Sequence, residues 1–309
     1  MKYKKILITY LLKIINNPKL IIVALIANKY FYWLNDEKFL KVLYYLRTNK
    51  RLNLDNPTSF NEKIQWLKIN DRQKLYITLA DKFKVREYIS DKVGEKYLIP
   101  LIDNYYNVNE IDFNKLPNSF VLKTTHDSGG VIICNNKTKF NRYKAKKKLS
   151  KLLNNNFFYK GREWPYKNIK PRIICEELLK DESDLQLKDY KIFCFNGEPK
   201  YIQVDIDRFT NHRRNIYNLD WDYIDFEICY PTDPQYKIPR PECLDEMLLL
   251  SKKLSESLKH LRVDLYISSN KIYVGELTLY HGSGFEKFNP EEYGNIFGNL
   301  LKINIDKHN

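Results

Sequence analysis

Residues 121–134, VLKTTHDSGGVIIC, constrain this chain more than any other segment. Val121 and Leu122 before Lys123, and Val131 to Ile133 after the glycines, read as two short buried strands. The polar loop between them, from Thr124 through Ser128, Gly129 and Gly130, closes a hairpin. A lysine ending one strand, beside a Gly-rich turn that can fold over a ligand, suits a nucleotide's phosphates. Its ammonium is a point charge, and the loop's backbone N–H groups and hydroxyls are neutral donors. Glycine and aspartate at a turn also serve the backbone alone, so this segment leaves both readings open.

The rest of the chain bounds the answer. At 309 residues, with 43% hydrophobic and 29% charged, it is globular and can bury a core in one large or two modest domains. The net charge of +14 owes something to a lysine-rich composition that fits an AT-rich genome. Such an excess still attracts anions: a nucleotide, a polyanionic glycan, nucleic acid or an anionic membrane. Nucleic acid is set aside, because recognition-helix, zinc-finger and RNA-binding aromatic patterns are missing from the sequence. Five cysteines, an odd number without a C-x-x-C, lie mostly in apolar runs and point to a reducing cytoplasm.

The N-terminal MKYKK is followed by two apolar runs, interrupted by Lys13, Asn16, Asn17, Pro18 and Lys19, then by Asn28 and Lys29. Neither reaches the roughly 18–20 unbroken residues of a spanning helix, and a signal-peptide cleavage site is not evident. Residues 1–55 are expected to be helical and packed on the domain, with peripheral contact at the inner face of a membrane as the second reading.

After Asn56-Pro57, Ser59 and Glu62 form a capping box for a helix whose core face carries Ile64, Trp66 and Leu67. A second helix is expected over 71–93, stopped by Gly94. Residues 56–118 thus form a helix-and-linker region. From Ser119 strands, hairpins and helices alternate, with a basic helix over 142–153, an aromatic, basic loop over 157–172 and strands near 173, 188–195 and 201–206. A helix over 244–260, a hairpin over 262–279 and a short polar tail complete an α+β pattern.

Three constellations can carry chemistry. IICEELL places Glu176 and Glu177 at the end of an apolar strand, where alternation lets at most one face a given cleft. The hairpin RVDLYISSNKIYVGELT embeds Asp264 and Glu276 in apolar strands, and such carboxylates are costly to desolvate without a cation. Two on paired strands can share Mg²⁺, and Arg262 lies on the strand face of Asp264, in reach of a transferring phosphoryl group. QVDIDRF contains Asp205-Ile-Asp207, a D-x-D of the kind that holds a metal–nucleotide-sugar complex in some glycosyltransferases; a strand with one solvated face gives the same alternation.

Taken in order, NPTSFNEKIQWLK, ADKFKVREYI, VLKTTHDSGG, GREWPYKNIKPRIICEE, KDYKIFCFNG, VDIDRF and GELTLYHGSGFEKFNPEEY resemble the TupA-like group of the ATP-grasp superfamily. The resemblance covers residues 55 to 295 and leaves out the first fifty. It implies an ATP-grasp fold over 119–303, with two α+β lobes (119–175 and 176–303) gripping ATP. It implies ATP and Mg²⁺ as cofactors, with Lys82, Lys123 and Lys188 at the phosphates and residues 124–130 as a lid. Glu176 and Glu177 would lie at the adenosine end, Asp264 and Glu276 on the metal, and Arg262 beside the reacting phosphate. Thr278 stands where Asn is common, which replaces an amide oxygen by a hydroxyl at the second metal position. The implied activity is a carboxylate–amine ligase, proceeding through an acylphosphate, in capsular or cell-wall polysaccharide synthesis. Its partner would be an acidic glycan or a glycan-linked carboxylate. A glycosyltransferase using Asp205 and Asp207 is the alternative.

Overall fold

Apart from Val23, the computed structural model describes residues 33–180, 187–208 and 210–305. The expected helices of residues 1–32 lie outside the described residues. The rest of that region forms α1 (Asp36–Thr48), which buries Phe39, Leu40, Leu43 and Tyr44.

Helix α2 (Phe60–Asn70) begins as its sequence dictates. Ser59 accepts from the Glu62 N–H, and the Glu62 carboxylate reaches back to the Ser59 N–H at 3.0 Å. The single helix expected over 71–93 is two, α3 (Lys74–Ala80) and α4 (Val85–Val93). The Asp81 carboxylate between them accepts from the N–H of Phe83 at 2.9 Å, so a side chain replaces the helical acceptor and turns the chain. Gly94 ends α4 with φ of 106°, a conformation that costs glycine little.

A first antiparallel sheet has the order β1-β4-β2-β3, from β1 (Leu101–Tyr105), β2 (Phe120–Thr124), β3 (Val131–Cys134) and β4 (Ile173–Glu176). It reaches back past the expected boundary at residue 119, because β1 pairs with β4. Strand alternation sends Phe120, Leu122, Ile173 and Cys175 to one face, where Leu149 of α5 (Arg142–Leu153) joins their core. Val121, Lys123, Ile174 and Glu176 take the other face.

The second sheet is antiparallel, ordered β11-β10-β5-β6-β7-β8. It comprises β5 (Asp189–Phe195), β6 (Glu198–Ile206), β7 (Arg213–Tyr217), β8 (Tyr223–Ile224), β10 (His260–Ser268) and β11 (Lys271–Thr278). Helix α6 (Phe158–Gly161) precedes it, and β9 (Glu227–Ile228) pairs with β12 (Phe288–Asn289) beside it. Helix α7 (Leu244–Ser255) packs on β5, β6 and β10, covering the face of Ile192, Val204 and Val263.

The chain after the last hairpin was expected to be a polar tail. It forms α8 (Glu292–Leu300), whose Phe297 is fully buried among Phe60, Phe193, Phe195 and Phe288. Gly298 permits this: a Cβ there would lie 2.1 Å from the Thr58 carbonyl oxygen. All five cysteines are free. Among the described residues, no helix is long and apolar enough to cross a membrane.

Candidate active site

The inner face of the first sheet meets the hairpin edge of the second across a narrow cleft. Lys123 projects from β2 and Glu176 from the end of β4, 2.6 Å apart, and Arg86 of α4 lies 3.2 Å from the same carboxylate. Glu177 is exposed, as alternation requires, so only Glu176 of the pair lines the cleft. Ile174, Leu98, Val274 and Leu277 supply apolar wall.

Lys82 sits in the turn that breaks α3 from α4. Its N–H donates to the Thr125 carbonyl at 3.1 Å, its ammonium donates to the Asp127 carbonyl, and it stands 3.6 Å from Glu276. Within the 124–130 loop the Thr124 hydroxyl donates to the Asp127 carboxylate at 2.6 Å, and the Thr125 N–H donates to the Arg172 carbonyl at 3.0 Å. Gly130 is needed there, since a Cβ would meet Thr124 Oγ1 at 1.9 Å. Ser128 and Gly129 form the exposed tip.

On β10 and β11, Asp264 lies opposite Glu276 and Arg262 opposite Thr278. Arg262 turns along the sheet. It donates to both Asp264 oxygens at 2.6 and 2.7 Å, to the Thr278 hydroxyl at 3.1 Å and to His281 Nδ1 at 2.7 Å. A guanidinium can only donate, so Nδ1 carries a lone pair and the proton sits on Nε2, which faces Glu286 at 2.8 Å. Burial lowers the His281 pKa and keeps this imidazole neutral.

From His281 the contacts run into a closed ring. Glu286 meets Arg214 at 3.0 Å, Arg214 meets Asp205 at 2.9 Å, and Lys191 lies 3.5 Å from Asp205 and 3.4 Å from Asp264. Lys191 also contacts Asp189 directly. Burial would raise the Asp264 carboxyl, but Arg262 and then Lys191 outweigh it and hold it below the carboxylate range. Asp205 is held down in the same way by Arg214 and Lys191. For Asp189 burial prevails over Lys191 and the pKa rises.

Several expectations are redistributed. Lys188 precedes β5 and shares the side of Tyr190, away from Asp264, so it does not join the cleft cations. Lys191, one full alternation on from Asp189, lies among Asp189, Asp205 and Asp264. The two aspartates of the D-x-D line one pocket beside Lys188 but take different partners: Asp205 is buried against Arg214, while Asp207 follows the strand with φ of 49° and pairs with Arg213. Arg86, Lys191 and Glu286 were not singled out; period-two spacing in DYK was the available signal for Lys191.

Asp264 and Glu276 fit a hard divalent cation in chemistry, being oxygen donors paired across two strands with the Thr278 hydroxyl two residues on. Among the described residues, three or more His, Cys, Asp or Glu side chains nowhere gather as a metal site. A cation here would therefore draw its remaining ligands from water and substrate phosphate.

The model of the family described as TupA-like ATPgrasp matches residues 62–302. The chain belongs to this ATP-grasp family. A search among curated proteins finds no match by sequence. Of solved structures, D-alanine–D-alanine ligase from Bacillus anthracis is similar at 18% identity, over 65% of this chain and 57% of that one, with a TM-score of 0.37. The same ligase complexed with ATP matches at 16% identity over 72% and 63%, with a TM-score of 0.41. A RimK domain ATP-grasp protein from Sphaerobacter thermophilus matches at 10% identity over 75% and 70%, with a TM-score of 0.40. The chain spans less than two thirds of the length of the two B. anthracis chains.

Proposed function

We propose that this protein is an ATP-dependent carboxylate–amine ligase acting on an acidic, surface-polysaccharide-linked substrate. The observation that carries the reading is one cleft lined by Lys82 beside Glu276 and Lys123 beside Glu176, with Asp264 opposite Glu276 on the neighbouring strand, within a chain of the ATP-grasp family. Two ammonium groups on separate elements suit a polyphosphate, and the apolar wall by Glu176 suits a base and ribose. Mg²⁺, when bound, would be held by Asp264, Glu276 and Thr278 and would offset phosphate charge. Lys82 and Lys123 hold the phosphates in place, the 124–130 loop excludes water, and Arg262 fixes Asp264. In the reaction a substrate carboxylate oxygen attacks the γ-phosphorus and ADP leaves. An amine nitrogen then attacks the acyl carbon, and phosphate departs as the amine loses a proton.

The test is incubation with ATP, Mg²⁺ and candidate acidic acceptors, with ADP and phosphate as products. Glu276→Gln keeps shape and removes charge, so turnover should fall at least ~10²-fold, about 3 kcal/mol, with the fold intact. Unchanged turnover, or nucleotide released from a sugar donor instead, removes this reading. In the glycosyltransferase alternative a metal would have to compete with Arg214 for Asp205 and with Arg213 for Asp207.

A further inference from the structure

The cationic excess of this chain is not spread along it. Residues 128–162 contain ten Lys and Arg and neither Asp nor Glu, and residues 1–35 contain six Lys and again neither acid. These contribute +10 and +6, so the net charge of +14 leaves −2 for all other residues. A genome-wide lysine bias would enrich every segment alike. Two acid-free segments in an otherwise balanced chain require another cause.

The structure gives one of these segments a surface. Its helix α5 buries Ala145 and Leu149 on the back of the first sheet, away from the cleft. The outward line at i, i+4, i+8 is Tyr143, Lys147 and Lys151, with Lys144 beside it. Tyr143 is 75% exposed, and the three lysines are exposed as well. Among the described residues, none of these lysines pairs with a carboxylate, whereas Arg162, where the acid-free run ends, meets Asp36 at 3.5 Å.

We propose that α5 is the docking surface for an anionic lipid bilayer. The face presents compact ammonium charges around one exposed amphipathic ring, which suits an anionic headgroup layer. A polyanion chain is tracked instead by a groove lined with successive aromatic platforms, and α5 offers neither. Each lysine near an anionic leaflet contributes about 1 kcal/mol, so three together change partitioning by roughly 10²-fold. The second acid-free segment, with its two apolar runs broken by lysines, has the composition of an interfacial element on the same chain. This inference does not depend on the ligase reading, because α5 is outside the cleft.

The experiment is flotation of the full chain with phosphatidylcholine vesicles, with and without phosphatidylglycerol, beside a Lys144→Gln/Lys147→Gln/Lys151→Gln variant. The parent should float only with anionic vesicles and release as salt rises. The triple variant should partition roughly 10²-fold less, with its melting temperature and ATP binding unchanged. Tyr143→Ala should weaken the binding that survives salt. Equal flotation of parent and triple variant would place docking elsewhere and overturn the proposal. So would a parent that ignores anionic vesicles and binds a soluble acidic polysaccharide through the same lysines.

Discussion

Lys191 is the cation on which the ring at the sheet face depends. Its ammonium contacts Asp189 and lies within 3.5 Å of Asp205 and Asp264, with a side chain 4% exposed. Lys191→Met keeps the length and removes the charge. Asp264 retains Arg262, Asp205 retains Arg214, and Asp189 retains only the half-exposed Arg208 at 2.9 Å. Breaking a buried pair by removing one partner costs about 3–5 kcal/mol, and the surviving arginines place this case near the lower figure. At about 2–4 °C per kcal/mol for a chain of this size, the melting temperature should fall by roughly 6–12 °C at pH 7. The pH dependence fixes the mechanism. Without Lys191 the Asp189 carboxyl, already pushed up by burial, rises further above its unfolded value, while Arg262 and Arg214 still oppose burial at Asp264 and Asp205. Groups shifted upward favour the fold below the unfolded pKa and lose that contribution as pH rises through the folded one. The deficit relative to the parent should therefore shrink markedly between pH 7 and pH 5, measured by thermal unfolding at both. A deficit under about 1 kcal/mol, or one equal at both pH values, would refute the ring as an electrostatic unit.

Burial opposes ionisation of Glu286, but the His281 contact and Arg214 hold its pKa down to about 2. That stability is present above the unfolded carboxylate range and lost as pH falls through the folded value, so Glu286→Gln should flatten the loss of stability between pH 5 and 3 and cost about 2 kcal/mol at pH 7 in urea titrations. Gly298→Ala should destabilise by about 2–3 kcal/mol because its Cβ meets the Thr58 carbonyl. Gly294→Ala in the same helix meets only the Phe288 ring at 3.6 Å or more and should be neutral or slightly stabilising; equal effects would reject the close-approach argument. By calorimetry, Lys123→Ala should weaken ATP binding while Asp207→Ala leaves it nearly intact, and the reverse order would reassign the site.

Local rules reached far into this fold. The Ser59–Glu62 box and the Gly94 stop act through neighbours in sequence, and the basic helix over 142–153 has the bounds its sequence gives. Both hairpins were legible because alternation and turn residues lie within a few positions of each other. The break at Asp81 was less so, since apolar spacing continues across it and only a competing side-chain acceptor ends the helix. That break places Lys82 against Asp127, so an error in helix length concealed how the cleft is built.

What the sequence determined by itself was the kind of parts: which residues alternate, which turns need glycine, and which strands carry charges too costly to bury alone. Partner choice was left to tertiary structure. Lys188 and Lys191 are equally plausible phosphate lysines in a string, and one strand register sends Lys191 among three carboxylates and Lys188 to the opposite side. Arg262 reads as a group aimed at substrate, yet His281, nineteen residues on, turns it along the sheet. Phe297 reads as part of a polar tail until Gly298 lets α8 close on Thr58 and carry the ring into the core. In each case the deciding energy is a contact between residues far apart in sequence, and local spacing holds no record of it.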